Sequence, residues 1–203
     1  MTLVVLGVGL LWWFGRPWPL KWAWAIAAGL PLLVLLIAGA EPAWRVTHRV
    51  DDGRTTERLV QGNGVALIWA PEGPGWVRDA QQACSWEMAQ QLCAHLSADG
   101  VRLEAEPVNI WRLPTIDEAV RSLTRGGVNA GGVWDSALCR AHYRVQPDKE
   151  SPLWRVYAET IYWWTASEAA AGQAYRIVYN GGVYAMPKSQ RYGTIGFRAV
   201  RQP

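Results

Sequence analysis

Cysteine is scarce in this sequence: 203 residues include only Cys84, Cys93 and Cys139. They form no CxxC pair and have no Cys/His spacing suited to zinc, so we predict no zinc site. Cys84 and Cys93 fall in one predicted helix, where nine residues separate them by about 13 Å, too far for a disulfide. Any disulfide would therefore use Cys139, and the odd count leaves the redox compartment open.

An excess of one charge is also lacking. The chain has 20 Lys and Arg against 17 Asp and Glu, a formal net charge of +3, and its basic residues form no run of five or more. Nucleic-acid-binding proteins usually concentrate basic residues on one face or one helix. We therefore predict no nucleic-acid partner.

The N-terminus has almost no charge, since Arg16 and Lys21 are the only charged residues in 1–40. Leu20–Ala40 is long enough to cross a hydrocarbon core of about 30 Å and lacks the periodic polar residues of a soluble helix. Met1–Phe14 would reach only about 21 Å, so it is either a thin first span or an interfacial helix. We predict membrane segments in 1–40 with the span at about 20–40, a linker and first strand in 41–64, and one domain in 65–203.

Tryptophan is concentrated around the junction of the two apolar segments. Amphipathic rings favour the headgroup layer of a bilayer. We therefore predict that the lipid bilayer is a partner, and that five tryptophans lie at the membrane interface: Trp12, Trp13, Trp18, Trp22 and Trp24.

The side of the membrane depends on the number of spans. With two spans, Arg16 and Lys21 lie in a connecting turn that the positive-inside rule places in the cytoplasm, and the domain lies outside. With one span, Arg45, Arg49 and Arg54 would hold the domain inside. We expect a bacterial inner membrane with the domain on the extracytoplasmic side.

Two helices are predicted in the first half of the domain, after a short apolar strand at Val65–Trp69. Ser85 stands at the N-cap of an amphipathic helix that Gly100 would end. Thr115 and Glu118 form a capping box for a second helix, predicted to run to about residue 124.

The C-terminal part is predicted to be antiparallel strands. Apolar and aromatic residues recur from Tyr162 onward, and Asn180–Gly182 suits a hairpin turn because Asn and Gly accept positive φ. Two helices followed by an antiparallel meander indicate the α+β class.

Three segments resemble the formylglycine-generating enzyme and sulfatase-modifying factor superfamily: Cys84–Ser97, Trp111–Glu118 and Gly196–Arg201. Their order is also similar to that of non-catalytic relatives with a C-type-lectin-like fold, among them the C-terminal domain of a bacterial collagen-like adhesin. The resemblance covers about Val65 to Arg201 and implies a C-type-lectin-like domain. The resemblance supports a prediction of the fold more than a prediction of the function.

The resemblance also implies which activity is missing. In the catalytic members, a cysteine pair near the C-terminal end binds copper and oxidises a substrate cysteine, whereas this sequence has no cysteine after Cys139. Copper chemistry of this kind needs soft thiolate ligands. We therefore predict that the chain is not an enzyme and has no catalytic residues.

No other catalytic or metal motif is evident. His48, His95 and His142 are dispersed and form no HExxH or nucleophile signature. The acidic pairs lack calcium-loop spacing and are interpreted as solvated surface: Asp51–Asp52, Asp117–Glu118 and Asp148–Glu150. We predict no cofactor and no metal, and leave open a structural calcium ion, as in relatives of the fold.

Candidate binding residues come from the C-terminal meander, because aromatic residues and Arg are the usual anchors of interfaces. The competing interpretation is core packing, since alternate residues of a strand face inward. The long loops, of which Gly126–Leu153 is the longest, are also candidates. The binding prediction names five residues: Trp163, Trp164, Tyr184, Arg191 and Tyr192.

The functional hypothesis is a membrane-anchored, non-catalytic binding or scaffolding module. Its partner would be a glycan or peptide ligand, or the other subunits of a membrane complex to which it is an accessory subunit. The alternative is an oxidoreductase-like enzyme of the same superfamily with altered chemistry, which would need a polar, convergent cleft.

Overall fold

The computed structural model describes residues 20–74, 84–191 and 194–203, with side chains from residue 28 onward except 41 and 42. Trp12, Trp13 and Trp18 lie outside the described residues, as do the side chains of Trp22 and Trp24. The chain divides into two compact units, Met1–His48 and Arg49–Pro203.

Helix α1, Leu20–Thr47, is the described part of the first unit. Its 28 residues extend about 42 Å. The helix ends at Thr47, past the predicted end at residue 40. The Thr47 hydroxyl donates to the Trp44 carbonyl at 2.9 Å and satisfies an end of the helix. Within the described residues, α1 is the one helix long and apolar enough to cross a membrane, over Ala28–Thr47.

The second unit mixes helices and strands, as the composition of its segments predicted. The helices are α2 Trp86–His95 and α3 Ile116–Ser122. The longer strands are β1 Arg58–Gly62, β2 Val65–Trp69, β7 Tyr162–Ala170, β8 Gln173–Val178 and β9 Val183–Pro187. The shorter strands are β3 Thr124–Arg125, β4 Val128–Asn129, β5 Val133–Asp135, β6 Arg140–His142, β10 Ile195–Gly196 and β11 Val200–Arg201.

Both predicted helix starts are confirmed. The Ser85 hydroxyl accepts from the Met88 amide, and Thr115 and Glu118 form both hydrogen bonds of a capping box. Helix α2 ends earlier than Gly100 because Leu96 turns extended and bridges to Leu103. Local capping therefore fixed where the helices begin, and a backbone bridge to the loop that follows fixed where α2 ends.

The strands form two principal sheets. One has the order β1-β2-β11, and the other has the order β10-β7-β8-β9. All of these pairs are antiparallel except β10 with β7. Strands β3–β4 and β5–β6 form two small hairpins between α3 and the larger sheet in sequence.

Two of the segments that carried the resemblance meet in space. The Arg112 amide donates to the Val200 carbonyl at 3.0 Å, and the Val200 amide donates back to Arg112 at 2.7 Å. Strand β11 in turn pairs with β2. The buried Arg198 guanidinium donates to the Ala70 carbonyl at 3.0 Å and to the Pro152 carbonyl at 2.5 Å. The C-terminal segment thus closes the domain against β2, which is a structural role.

The core consists of two apolar clusters on either side of the larger sheet. Trp163 belongs to one cluster and Trp164 to the other. Successive residues of a strand point to opposite faces, so adjacent tryptophans serve different clusters. The α+β class is confirmed at the level of mixed helices and strands with an N-terminal helix.

Candidate functional site

The structure separates the predicted binding residues. Trp163 and Trp164 are 1% and 0% exposed, which corrects their assignment to a binding surface: both pack in the core. Tyr184 is 50% exposed and Arg191 is exposed. Tyr192 lies outside the described residues. Of the predicted binding residues, Tyr184 is both exposed and part of a strand, so we place the candidate site on β9.

Tyr184 lies at one wall of a groove of about 220 Å³. We call it the β9 groove, because β9 and the turn before it face the tip of the β5–β6 hairpin there. Its lining residues are Cys139, Arg140, Ala141, Gly181, Gly182, Val183 and Tyr184. The hairpin that supplies half of the groove falls inside Gly126–Leu153, the segment predicted to be a long loop.

Gly181, which lines the groove, makes a close approach to Tyr143. Gly181 has φ +82° and a Cβ there would lie 2.5 Å from the Tyr143 ring, so only glycine fits. The Tyr143 hydroxyl donates to the Gly181 carbonyl at 3.2 Å. Burial raises the pKa of Tyr143, which keeps the phenol neutral and able to donate.

The hairpin tip rests on the sheet through aromatic contacts. Trp134 meets Tyr175 edge to face at 5.2 Å between ring centroids. A hydrogen bond with the Cys139 thiol raises the pKa of Tyr175. Cys139 itself is exposed and has φ +48°. These contacts hold the hairpin on the sheet, and with it the backbone of Arg140.

Arg140 is the cationic group of the groove. It is exposed, and within the described part of the chain it forms no ion pair. Asp135 lies opposite it in the hairpin, but the Asp135 carboxylate accepts from the amides of Ala137 at 2.9 Å and Leu138 at 3.0 Å. Arg140 is therefore available to an anionic group.

A row of stacked side chains lies on the strand face next to the groove. Arg176 is 3.9 Å from the Tyr162 ring centroid and 5.8 Å from that of Tyr184. Arg176 and Tyr184 are direct cross-strand partners, so their side chains share one face. The cation–π contact of Arg176 with Tyr184 restrains the Tyr184 ring, so this ring would lose little side-chain entropy when a group packs on it.

In a second charged region, near the start of the domain, the charged side chains are buried and paired, unlike Arg140. Arg49 Nη2 lies 2.7 Å and Arg125 Nη1 lies 2.6 Å from the two oxygens of Asp148. The carboxylate of Glu150, 1% exposed, accepts from the amides of Val50 and Gly127. Asp148–Glu150 was interpreted as solvated surface, and its burial here overturns that interpretation. We call Arg49, Arg125, Asp148 and Glu150 the buried ionic cluster.

A polar cleft of about 670 Å³ opens elsewhere in the domain. Its lining includes Asp51, Glu72, Arg155, Tyr157 and Glu159. Arg155 pairs with Glu72 at 2.8 Å, and Tyr157 is 88% exposed. Among the described residues, no group of three or more His, Cys, Asp or Glu side chains is placed to hold a metal ion.

Comparison with protein-family models, with curated proteins and with solved structures finds no match to this chain. The resemblance to the sulfatase-modifying factor superfamily therefore stays a prediction.

Sequence reasoning found Tyr184 but missed Arg140, Cys139 and Gly181. Arg140 and Tyr184 are 44 residues apart in the sequence, and their segments are brought together by the packing of Trp134 on Tyr175 and the hydrogen bond from Tyr143 to Gly181. The available signal was the Gly181–Gly182 pair, which predicted the turn correctly but not the side chain that approaches it.

Proposed function

We propose that this chain is a membrane-anchored, non-catalytic binding or scaffolding module. In this proposal α1 crosses the membrane and the domain binds a partner through the β9 groove. The exposed α1 side chains support the anchor, because Leu35 and Ile37 are 68% and 63% exposed and apolar side chains of this kind are stable in lipid.

The β9 groove is the observation that carries the binding role. It combines an exposed aromatic ring restrained by stacking with a guanidinium that has no ion pair in the described structure. Such side chains are the usual anchors of protein interfaces. They are mounted on a sheet edge and a packed hairpin, so binding would order few additional groups.

The family and the C-type-lectin-like fold remain part of this proposal. The bridge between Arg112 and Val200 supports it, since it joins two of the three segments that carry the resemblance, and the pairing of β11 with β2 closes the domain beside them. The location in a bacterial inner membrane, with the domain outside, belongs to the same proposal.

The test is affinity purification of the tagged full-length chain from its native membrane in mild detergent, with mass spectrometry of co-eluting proteins. We expect a defined set of membrane subunits in stoichiometric amount. Tyr184→Ala should reduce their recovery, and Tyr157→Ala, which removes an exposed ring from the polar cleft, should not. Recovery of the chain alone contradicts the accessory-subunit role.

The alternative, an oxidoreductase-like enzyme, draws support from the polar cleft. Asp51 and Glu159 could bind and orient a cationic or hydroxylated substrate there. A turnover assay with thiol peptides and molecular oxygen, comparing the wild type with Tyr157→Phe and Glu159→Gln, distinguishes the two. Turnover that depends on the cleft residues would replace the binding proposal.

A further inference from the structure

Strand β9 has a free hydrogen-bonding edge within the described structure. It is the terminal strand of the larger sheet. The Val178 amide donates to the Gly182 carbonyl at 2.8 Å, and the Lys188 amide donates to Gly172 at 2.9 Å. Because hydrogen-bonded pairs alternate in an antiparallel ladder, Tyr184 and Met186 bond to β8.

The alternate residues of β9, one between Tyr184 and Met186 and one on each side of them, must then direct their backbone groups away from β8. These are Val183 and Ala185, each with one N–H and one C=O, and Pro187, which has only a C=O. Proline ends the edge, so an added strand could pair over a short stretch only. The outward groups are spaced as a β-strand requires, which suits a peptide backbone better than a sugar or a lipid headgroup.

The β9 groove lies directly beside this edge, since Val183 lines it. Its volume of about 220 Å³ is below the roughly 300–1,000 Å³ of sites for whole small molecules. It suits one side chain of a bound segment. Arg140 at its wall is complementary to a carboxylate.

We propose that β9 binds an extended peptide segment by β-strand addition, and that an acidic side chain of this segment enters the β9 groove and pairs with Arg140. The inference rests on the proposed binding function and names the chemistry of the partner. Backbone hydrogen bonds to Val183 and Ala185 supply affinity, and the groove supplies specificity.

The test uses the full-length chain in detergent micelles and two fluorescent hexapeptides of alternating threonine and valine. One carries a central glutamate and the other a central lysine. Fluorescence anisotropy should show saturable binding of the glutamate peptide, with the lysine peptide weaker by about tenfold, the equivalent of one charge-assisted contact. Arg140→Glu should reverse this preference.

The backbone part of the proposal has its own matched variants. Ala185→Pro removes an outward N–H without touching the β8–β9 bonds, so it should fold and lose most binding of both peptides. Glu104→Ala, at an exposed position outside β9 and outside the groove lining, is the control and should bind as the wild type does. If Ala185→Pro fails to fold, glutamate peptides N-methylated along one edge or the other replace it, and one methylation pattern alone should abolish binding.

Several results would overturn the proposal. These are no saturable binding at millimolar peptide, binding that ignores both Ala185→Pro and N-methylation, and self-association of the chain through β9 that excludes peptide. Partner subunits that co-purify equally with Ala185→Pro would leave the binding function standing and overturn strand addition. Absence of co-purifying subunits with the wild type would count against the accessory role, whatever the peptides do.

Discussion

Two regions of the domain use arginine in opposite ways. In the buried ionic cluster, Arg49 and Arg125 share the carboxylate of Asp148, which is 8% exposed. In the β9 groove, Arg140 is exposed and unpaired within the described structure. Removing one partner of a buried ion pair leaves an uncompensated charge, whereas an exposed arginine is solvated by water. The first region should therefore govern stability, and the second should govern binding.

The largest expected effect is that of Asp148→Ala. It leaves two partly buried guanidinium groups without their carboxylate, and we expect a loss of about 3–5 kcal/mol in the free energy of unfolding. Denaturant unfolding followed by tryptophan fluorescence in micelles measures it. The matched variant Glu104→Ala, at an exposed position, should stay within about 0.5 kcal/mol. Equal losses of unfolding free energy for the two variants would contradict a special role of the buried ionic cluster in stability.

The same contrast can be tested within one sheet. Trp164 and Tyr184 both lie opposite Arg176, on its two neighbouring strands, but only Trp164 is fully buried. Trp164→Ala should lower the unfolding free energy by about 3–5 kcal/mol. Tyr184→Ala should lower it by less than about 1 kcal/mol and should weaken binding of the glutamate peptide. A stability loss at Tyr184 as large as that at Trp164 would assign both to the core.

A smaller effect is expected from Asp52, which ties the start of the domain to Arg58. The two oxygens of Asp52 lie 2.9 and 2.5 Å from the Arg58 guanidinium, and this hydrogen bonding holds the pKa of Asp52 well below its usual 3.8. A depressed folded-state pKa adds stability above the unfolded-state value and loses it as the pH falls.

The experiment compares pH profiles of unfolding for the wild type and Asp52→Asn. The wild type should lose more stability than the variant as the pH is lowered from neutral through 3.8 and below, by about 1 kcal/mol for a partly exposed pair. Parallel profiles would show that Asp52 is ionised equally easily in the folded and unfolded chain.

The last prediction involves no change in stability. Thiol labelling measures how accessible each cysteine is to a reagent in solution. Cys139 is exposed, while Cys84 and Cys93 are each 1% exposed. Burial raises the pKa of Cys84 to about 11, so its reactive thiolate is rare at neutral pH. A maleimide should label one thiol in the folded chain and all three free cysteines after denaturation. Absence of labelling in folded Cys139→Ser would show that Cys139 is the labelled thiol, whereas rapid labelling of this variant would contradict the burial of Cys84 and Cys93.

Sequence patterns predicted the local features well. Ser85 and the Thr115–Glu118 capping box were recognisable because each needs only a hydroxyl or carboxylate within one helical turn. The Asn180–Gly182 turn was recognisable because glycine accepts positive φ, which Gly181 adopts in the structure. The prediction was less accurate for Asp148–Glu150 and for Trp163 and Trp164, because a charge pair or an aromatic pair has the same sequence whether it is buried or exposed.

The sequence by itself determined the division between a charge-poor apolar segment and a mixed domain, the starts of two helices, and the turn that precedes β9. These depend on composition and on contacts within a few residues. Only the tertiary structure decided which arginines are paired, which tryptophans are buried, and that Arg140 and Tyr184 border one groove. Burial and pairing depend on segments far apart in the chain, and their positions are set by packing of the whole domain rather than by local preference.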